Sequence, residues 1–479
     1  MRSNFLAATA LISGLAVAGL TGGAASADEA TVTPEQQTSV AVTIYNNDLA
    51  LIRDSRKVNL IQGENDLAFV EVSGGMRPET ALLTSKDAQI SVIEQNFDFD
   101  LLTSQKILEK SVGQKIRVIR TNSETGADTA EEATVLSVAD GNVVLQIGDR
   151  IETAAPGRLV FSAVPANLRA RPTLVVRLNS PQAGEVPLVL SYLSRGLSWS
   201  ADYVAELSPD EKTINLNGWV TLTNQSGITY KDAKLQLVAG NINQVQQEFA
   251  RPLNMAAGAT DVMPAPKMRE QAAFEYHLYS LDRPTTINEN QTKQVALLDA
   301  IGIPVTKTYL FENLSQRYGS YFDRNASDPK RVNASIRVKF DNSEAAKLGM
   351  PLPQGTMRVY KADDTGEAIF VGEDHIDHTP KNEHVDLTLG EAFDVTARAK
   401  QATFDKISDK VFESSYEIEL KNAKKEAVTA TLREVLPGQW KMLEESATHE
   451  QVNAQTAQWQ IQVPAEGSAK LTYKVRVSM

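Results

Sequence analysis

The 479-residue sequence contains no cysteine, which excludes disulfide bonds, thiolate metal ligands and a thiol nucleophile. Basic residues are outnumbered, with 48 Lys and Arg against 60 Asp and Glu. Because nucleic-acid binding needs a concentrated basic face, nucleic acid is not an expected partner. No G-x-x-x-x-G-K-[ST] or G-x-G-x-x-G loop occurs, so nothing indicates a bound nucleotide, and we expect no cofactor.

Long apolar runs are also scarce, and the longest lies at the N-terminus over residues 5–20. It follows Arg2 and precedes the small residues Ala25 and Ala27, a pattern typical of a secretory signal peptide over residues 1–27 with cleavage near Ala27. The alternative is that this apolar run is retained as an anchor. No later stretch of about 18 apolar residues occurs, so we expect no transmembrane segment in the mature chain. We therefore expect a periplasmic or secreted protein, whose formal charge changes from −12 to −13 on cleavage.

Helical periodicity is weak, whereas strand periodicity is frequent. Tyr416, Ile418 and Leu420 alternate with charged residues, and the same period of two runs through residues 336–340 and 471–479. Turn-forming residues such as Asn46-Asn47-Asp48 separate these runs. The best helix candidate, residues 101–110, is short. The sequence therefore predicts an all-β, multidomain protein.

The predicted domain order follows from the spacing of the strands. After the signal peptide we expect an N-terminal β domain over 28–108 and a small SH3-like β-barrel over 109–165, for which a hairpin extension of the first domain is the alternative. A β-sandwich domain is predicted over 166–403, interrupted by a mobile Pro/Ala/Met-rich loop at 250–273. The final segment, 404–479, has the spacing of an immunoglobulin-like β-sandwich.

The segment EDHIDHTPKNEH, residues 373–384, contains three of the five histidines. His375, His378 and His384 are the candidate metal ligands, because short His-rich tracts can bind metal ions. Ile376 and Pro380 favour an extended chain, in which residues three apart point to opposite sides. We interpret the segment as the polar tip of a β-hairpin that needs no metal; the cross-strand pair His375 and His384 is the one convergent geometry it allows.

The sequence evidence for catalytic residues is weaker than that for a metal site. Ser198 follows a glycine but lacks the G-x-S-x-G pattern of a nucleophile elbow. Asp202 and Asp394 could belong to a carboxylate pair, although their strand-like surroundings favour hydrogen-bonded structural acids. We therefore assign no catalytic residue, and the sequence favours a protein that is not an enzyme.

Aromatic and methionine side chains offer possible binding surfaces. The chain has four tryptophans, and Trp219 falls on the more polar side of its strand, where it could serve a binding face. Packing in the core or in a second layer of a sandwich is the favoured interpretation. Met255, Met263 and Met268 lie in the predicted mobile loop, which could contact a partner or be a simple insertion.

Several segments together resemble one family, the mucoidy inhibitor A-like exported proteins, which carry a C-terminal domain of unknown function. They include NNDLALIRDSRKVNL, GLSWSADYVAEL, NGWVTLTNQSGITYKDAKLQLVAG, YHLYSLDRPTTINENQTKQVALL and GMPLPQGTMRVYKADDTGE. The resemblance runs from about Ser39 to the C-terminus. It implies a β-rich envelope protein connected with capsular or exopolysaccharide production, and it supplies no catalytic residues. The coiled coil of many members is absent here, since residues 112–172 show no sustained heptads.

Two functional hypotheses remain. The first is a non-catalytic exported protein that binds an envelope protein or polysaccharide, by its loops or by adding a partner's strand to a sheet edge. The alternative is a hydrolase of envelope polysaccharide or peptide, either carboxylate-based or dependent on a metal at the histidine tract. The sequence does not specify an oligomeric state.

Overall fold

The structure, a computed structural model, describes residues 29–139, 141–165, 168–240, 242–243, 268–273, 276–316, 321–324, 330–363 and 365–479. It is 66% strand and 3% helix, which confirms the all-β, multidomain prediction. The predicted signal peptide and residues 250–267 of the predicted mobile loop lie outside the described residues. In the described part of the chain, no helix has the length and apolar character needed to cross a membrane.

The elements before residue 170 are strands β1 (Ala30–Val32), β2 (Gln37–Tyr45), β3 (Leu49–Leu60), β4 (Gly63–Val70), β5 (Leu82–Ser85) and β6 (Ser91–Asp98), helix α1 (Ser104–Lys110), and strands β7 (Lys115–Thr121), β8 (Asp128–Ala139), β9 (Asn142–Ile147), β10 (Arg150–Glu152) and β11 (Arg158–Val160). Short 3₁₀ turns lie at Pro34–Gln36 and Pro78–Thr80. Helix α1 falls within the predicted helical segment, and the Thr103 side chain caps it by accepting from the Lys106 amide.

The later strands are β12 (Thr173–Ser180), β13 (Gly184–Ser194), β14 (Leu197–Leu207), β15 (Thr213–Asn224), β16 (Tyr230–Ala239), β17 (Met268–Ala273), β18 (Tyr276–Leu281), β19 (Thr285–Ile287), β20 (Gln291–Pro304), β21 (Thr306–Glu312), β22 (Val332–Asp341), β23 (Gly355–Ala362), β24 (Ala368–Ile376), β25 (His384–Ser408), β26 (Val411–Asn422), β27 (Val428–Val435), β28 (Gln439–Glu445), β29 (Glu450–Asn453), β30 (Thr456–Val463) and β31 (Ser468–Ser478).

The chain divides into two compact units. The first contains the chain up to Gln36, Lys57–Glu71 and Thr84–Leu188, and the second contains Gln37–Arg56, Val72–Leu83 and Val189–Met479. The first unit holds a four-stranded sheet in the order β1-β4-β12-β6 and a five-stranded sheet in the order β10-β9-β8-β7-β11.

The five-stranded sheet of the first unit occupies the place of the predicted SH3-like barrel. Val118, Val135 and Leu145 are fully buried in a core of its own. Its order ends at β10 and β11, which are only three residues long, and no closed barrel is found among the described residues. We correct the barrel to an open sheet, because edge strands this short offer too few hydrogen bonds to close it.

The second unit is built on three sheets. Their orders are β17-β18-β16-β2-β3-β13-β5 with β19 beside β16, then β20-β15-β14-β23-β24, and finally β28-β31-β26-β25-β22-β21-β27-β30-β29. In the first of these, the division of the chain falls within three strands, β3, β5 and β13. The β2–β3 hairpin turns at Asn47 and Asp48, both with positive φ, as the turn-forming residues predict.

The nine-stranded sheet encloses a core of its own. Ile418 and Leu420 on β26 belong to one buried cluster with Leu432 on β27 and Trp459 on β30. The sheet therefore folds over on itself as a sandwich. The cluster begins at Tyr309, and position 403 falls inside β25, so strands on both sides of the proposed boundary at 403/404 share this core. The domain boundaries themselves stay predictions.

The end of the predicted mobile loop is a strand. Met268–Ala273 forms β17 and pairs with β18 in antiparallel register, with Met268 opposite Leu281. Met268 is buried, so its side chain serves packing. The prediction was wrong here because Glu, Gln and Ala have low intrinsic strand preference, and pairing with β18 overrides it.

Candidate functional site

The five-stranded sheet of the second unit is buried on one face and open on the other. Alternating residues of β14, such as Leu197, Ala201 and Tyr203, are buried. The residues between them point to the opposite side, which we call the open face. The strand registers place these residues on it: Ser198, Ser200, Asp202, Val204 and Glu206 (β14); Asn215, Asn217, Trp219, Thr221 and Thr223 (β15); Gln294, Ala296 and Asp299 (β20); Thr356, Arg358 and Tyr360 (β23); and Phe370, Glu373 and His375 (β24).

The strand pairing brings residues from distant parts of the chain into one row. Asp202 lies opposite Trp219 on β15 and beside Thr356 on the parallel strand β23, and Thr356 lies opposite His375 on β24. Directly paired residues have Cβ atoms about 5 Å apart, so these four side chains are neighbours. Four candidates from the sequence, Ser198, Asp202, Trp219 and His375, thus fall on one surface.

A charged network crosses the middle of the open face. Arg358 donates from its Nη1 to Asp202 Oδ1 at 3.0 Å, and its Nε lies 3.2 Å from Glu373 Oε2. The Thr221 hydroxyl donates to Asp202 Oδ2 at 2.8 Å. The hydrogen bond with Asp202 is the main cause that raises the pKa of Arg358 above its usual value. Both oxygens of Asp202 are therefore engaged, which suits a structural acid that fixes Arg358.

Three aromatic side chains flank this network. Trp219 and Tyr360 are half-buried, and Phe370 is 51% exposed. Tyr360 and Phe370 pack edge to face with ring centroids 5.6 Å apart. From strand geometry, Trp219 and Tyr360 are roughly 16 Å apart, two strands across and four residues along. Aromatic rings and hydrogen-bonding groups therefore alternate over a distance longer than one sugar ring.

The three histidines of the tract do not come together. His375 lies on β24 opposite Thr356, whereas His384 begins β25 opposite Asp341 on β22, in a different sheet. Residues 377–383 thus connect two sheets, so the predicted hairpin tip and its His375–His384 pair were wrong. The physical reason is that β24 pairs back with β23, while β25 pairs with β22.

The partners of the other two histidines differ as well. His378 is half-buried, and its Nδ1 accepts from the Gln354 amide at 3.1 Å. Burial lowers the pKa of His378 below its usual value. The Nδ1 of His384 lies 2.6 Å from Asp341 Oδ1. Across the described ranges, no three His, Asp or Glu side chains are grouped so as to hold a metal ion.

The other sequence candidates lie apart from the open-face network. Asp394 is exposed on β25 and lines a groove of about 750 Å³ together with Phe393, which is 83% exposed. Ser198 is on the open face opposite Thr223, at the start of β14. The described residues therefore do not join Asp394 and Asp202 into a carboxylate pair, since the two lie in different sheets.

Comparison with known families matches residues 188–479 to the family described as "Domain of unknown function (DUF4139)". The chain belongs to this DUF4139 family. The matched region begins next to Val189, where the C-terminal segment of the second unit begins, so the open face is part of the DUF4139 region. No curated protein matches the chain.

Arg358, Glu373, Tyr360 and Phe370 were not identified from the sequence. They face outward because buried and outward-facing residues alternate along β23 and β24, and this period of two is visible in the sequence MRVY. What the sequence does not display is the parallel pairing of β23 with β14, which joins residues about 150 positions apart, as in the hydrogen bond between Arg358 and Asp202.

Proposed function

We propose that this chain is an exported, non-catalytic envelope protein that binds a glycan of the envelope through the open face of its DUF4139 region. The observation that carries the proposal is the combination of Trp219, Tyr360 and Phe370 with a network of fixed polar side chains on one exposed surface. Aromatic faces pack against the apolar faces of sugar rings, and planar polar groups hydrogen-bond to hydroxyls.

Export and the link to polysaccharide complete the proposal. The signal-peptide pattern over residues 1–27 supports a periplasmic or secreted location after cleavage near Ala27. The resemblance to mucoidy inhibitor A-like proteins supports a part in the control of exopolysaccharide. N-terminal sequencing of the protein from a periplasmic or culture fraction should begin at Asp28. Recovery of uncleaved chain from the cytosol would contradict export.

The binding proposal is tested with purified mature protein and polysaccharide extracted from the envelope of the producing cells. We expect Trp219→Ala and Tyr360→Ala each to weaken binding about tenfold or more in affinity electrophoresis, because each removes an aromatic contact. Phe393→Ala is the matched control, since that ring is 83% exposed but lies outside the open face. Equal binding by all three variants would show that the open face is not the site. Cross-linking of the open face to an envelope protein instead would overturn the choice of a glycan.

A further inference from the structure

The open face carries an unequal set of charges. Four of its positions are acidic, namely Asp202, Glu206, Asp299 and Glu373, and one is basic, Arg358. The surface is therefore negative, as is the whole chain with its formal charge of −12. An acidic polysaccharide that approaches this face meets net repulsion, which salt can only partly screen.

The single guanidinium is already committed within the protein. Arg358 lies between Asp202 and Glu373, at 3.0 Å and 3.2 Å, on two strands that flank its own. An acidic sugar that pairs with the remaining N–H groups of Arg358 would lie beside Asp202 and Glu373. Both carboxylates would then repel the ligand's own negative charge, so the pairing gains little.

The same carboxylates suit a neutral sugar. Glu206 and Glu373 are exposed, and an ionised carboxylate accepts hydrogen bonds from hydroxyl groups on two oxygens. Asn217 and Gln294, also exposed on this face, add amide donors and acceptors. A neutral glycan can therefore form hydrogen bonds to the open face without breaking the ion pairs of Arg358.

We propose that the ion pairs of Arg358 with Asp202 and Glu373 act as a charge filter, which makes the open face selective for neutral over acidic glycans. This inference rests on the proposed glycan-binding function and adds the chemical class of the ligand. Asp202 and Glu373 are specificity-determining residues in this proposal, because they keep the guanidinium from pairing with an anionic sugar.

The test compares a neutral glucan, laminarin, with an acidic polymer, polygalacturonate, at low and at high salt. At low salt, we expect unaltered mature protein to bind laminarin at least about tenfold more tightly than it binds polygalacturonate. The double variant Asp202→Asn/Glu373→Gln leaves Arg358 without its anionic partners. It should gain about tenfold in affinity for polygalacturonate, and salt should abolish that gain.

Two controls separate the filter from overall charge. Glu124→Gln/Glu450→Gln changes the formal charge by the same amount at exposed positions outside the open face, where neither carboxylate forms an ion pair with another described residue, and it should not gain acidic binding. Adding Arg358→Gln to the double variant should remove the gain, and near-UV circular dichroism should show that each variant is folded.

Each outcome decides one of the two proposals. If unaltered protein binds none of the three ligands, namely laminarin, polygalacturonate and envelope polysaccharide, the glycan-binding function is wrong. The charge filter is then wrong as well. If it binds polygalacturonate as well as laminarin, or better, the filter is wrong while glycan binding stands. A folded double variant with no gain in acidic binding likewise overturns the filter alone.

Discussion

At the scale of single residues, Glu434 stands out because its carboxyl group is completely buried. It is fully buried on β27, where one oxygen accepts from the Ser315 amide at 3.2 Å and the other contacts the hydroxyls of Ser315 and Tyr321. Tyr321 and Tyr473 both belong to the buried apolar cluster of this sheet, in which Tyr473 stacks on Trp459 with ring centroids 5.0 Å apart. A carboxyl group in such aromatic surroundings is poorly solvated when charged.

This burial predicts a pH-dependent stability. Desolvation raises the pKa of Glu434 from 4.5 to about 7, so the folded state binds its proton more tightly than the unfolded state. The resulting stabilisation is fully present below about pH 4.5 and is lost as the pH rises through about 7, by roughly 3 kcal/mol. Glu434→Gln stays neutral at every pH and should remove this part of the pH dependence.

The measurement is the free energy of unfolding in urea at about pH 5 and about pH 8, for the unaltered protein and for Glu434→Gln. Other carboxyls titrate in both proteins, so the difference between the two pH profiles isolates Glu434. Parallel profiles would show that this carboxyl has an ordinary pKa in the folded state.

At the scale of elements, the open face depends on the parallel pairing of β14 with β23. The pair begins where Ala201 meets Gly355, and the next pair joins Asp202 to Thr356. A Cβ atom at Gly355 would lie 2.1 Å from the Ala201 carbonyl oxygen, closer than real Cβ atoms come to backbone. Only glycine therefore lets the two strands approach at this position.

We expect Gly355→Ala to push the two strands apart and to lower the free energy of unfolding by roughly 1–3 kcal/mol, as other overpacking substitutions do. Thr356→Ala is the neighbouring control, because its side chain is on the half-exposed open face and its loss leaves the pairing intact. Urea unfolding compares the two variants. A midpoint for Gly355→Ala equal to that of the control would mean that the strands do not approach as closely as described.

The same scale explains what the sequence could predict. Alternation identified the buried side of β26 at Tyr416, Ile418 and Leu420, because a strand's two faces are set locally. The turn at Asn47 and Asp48 likewise sets its own hairpin. Which strands become neighbours is decided by the burial of residues that are far apart in the sequence. The alternation within single strands could therefore reveal neither the open face nor the placement of His375 and His384 in separate sheets.

At the scale of the whole molecule, the residues matched by the DUF4139 family differ from the residues that form the second compact unit. The match covers residues 188–479, whereas the second unit also contains Gln37–Arg56 and Val72–Leu83. Strand β2 from this N-terminal part pairs in parallel with β16, with Val42 opposite Leu235 and Ile44 opposite Leu237. All four of these side chains are buried, so the DUF4139 region relies on a strand from outside its matched range.

This dependence predicts that a fragment of residues 188–479 is defective in folding. Without β2, one edge of β16 loses its hydrogen-bonding partner, and Leu235 and Leu237 lose the apolar neighbours that cover them. We expect the fragment to aggregate in size-exclusion chromatography with light scattering, whereas the mature chain should not. Co-expression of residues 37–56 should restore soluble fragment, because it supplies β2 and the part of β3 that belongs to the second unit. A monomeric fragment with the urea midpoint of the full chain would show that β2 is dispensable and that the family region folds by itself.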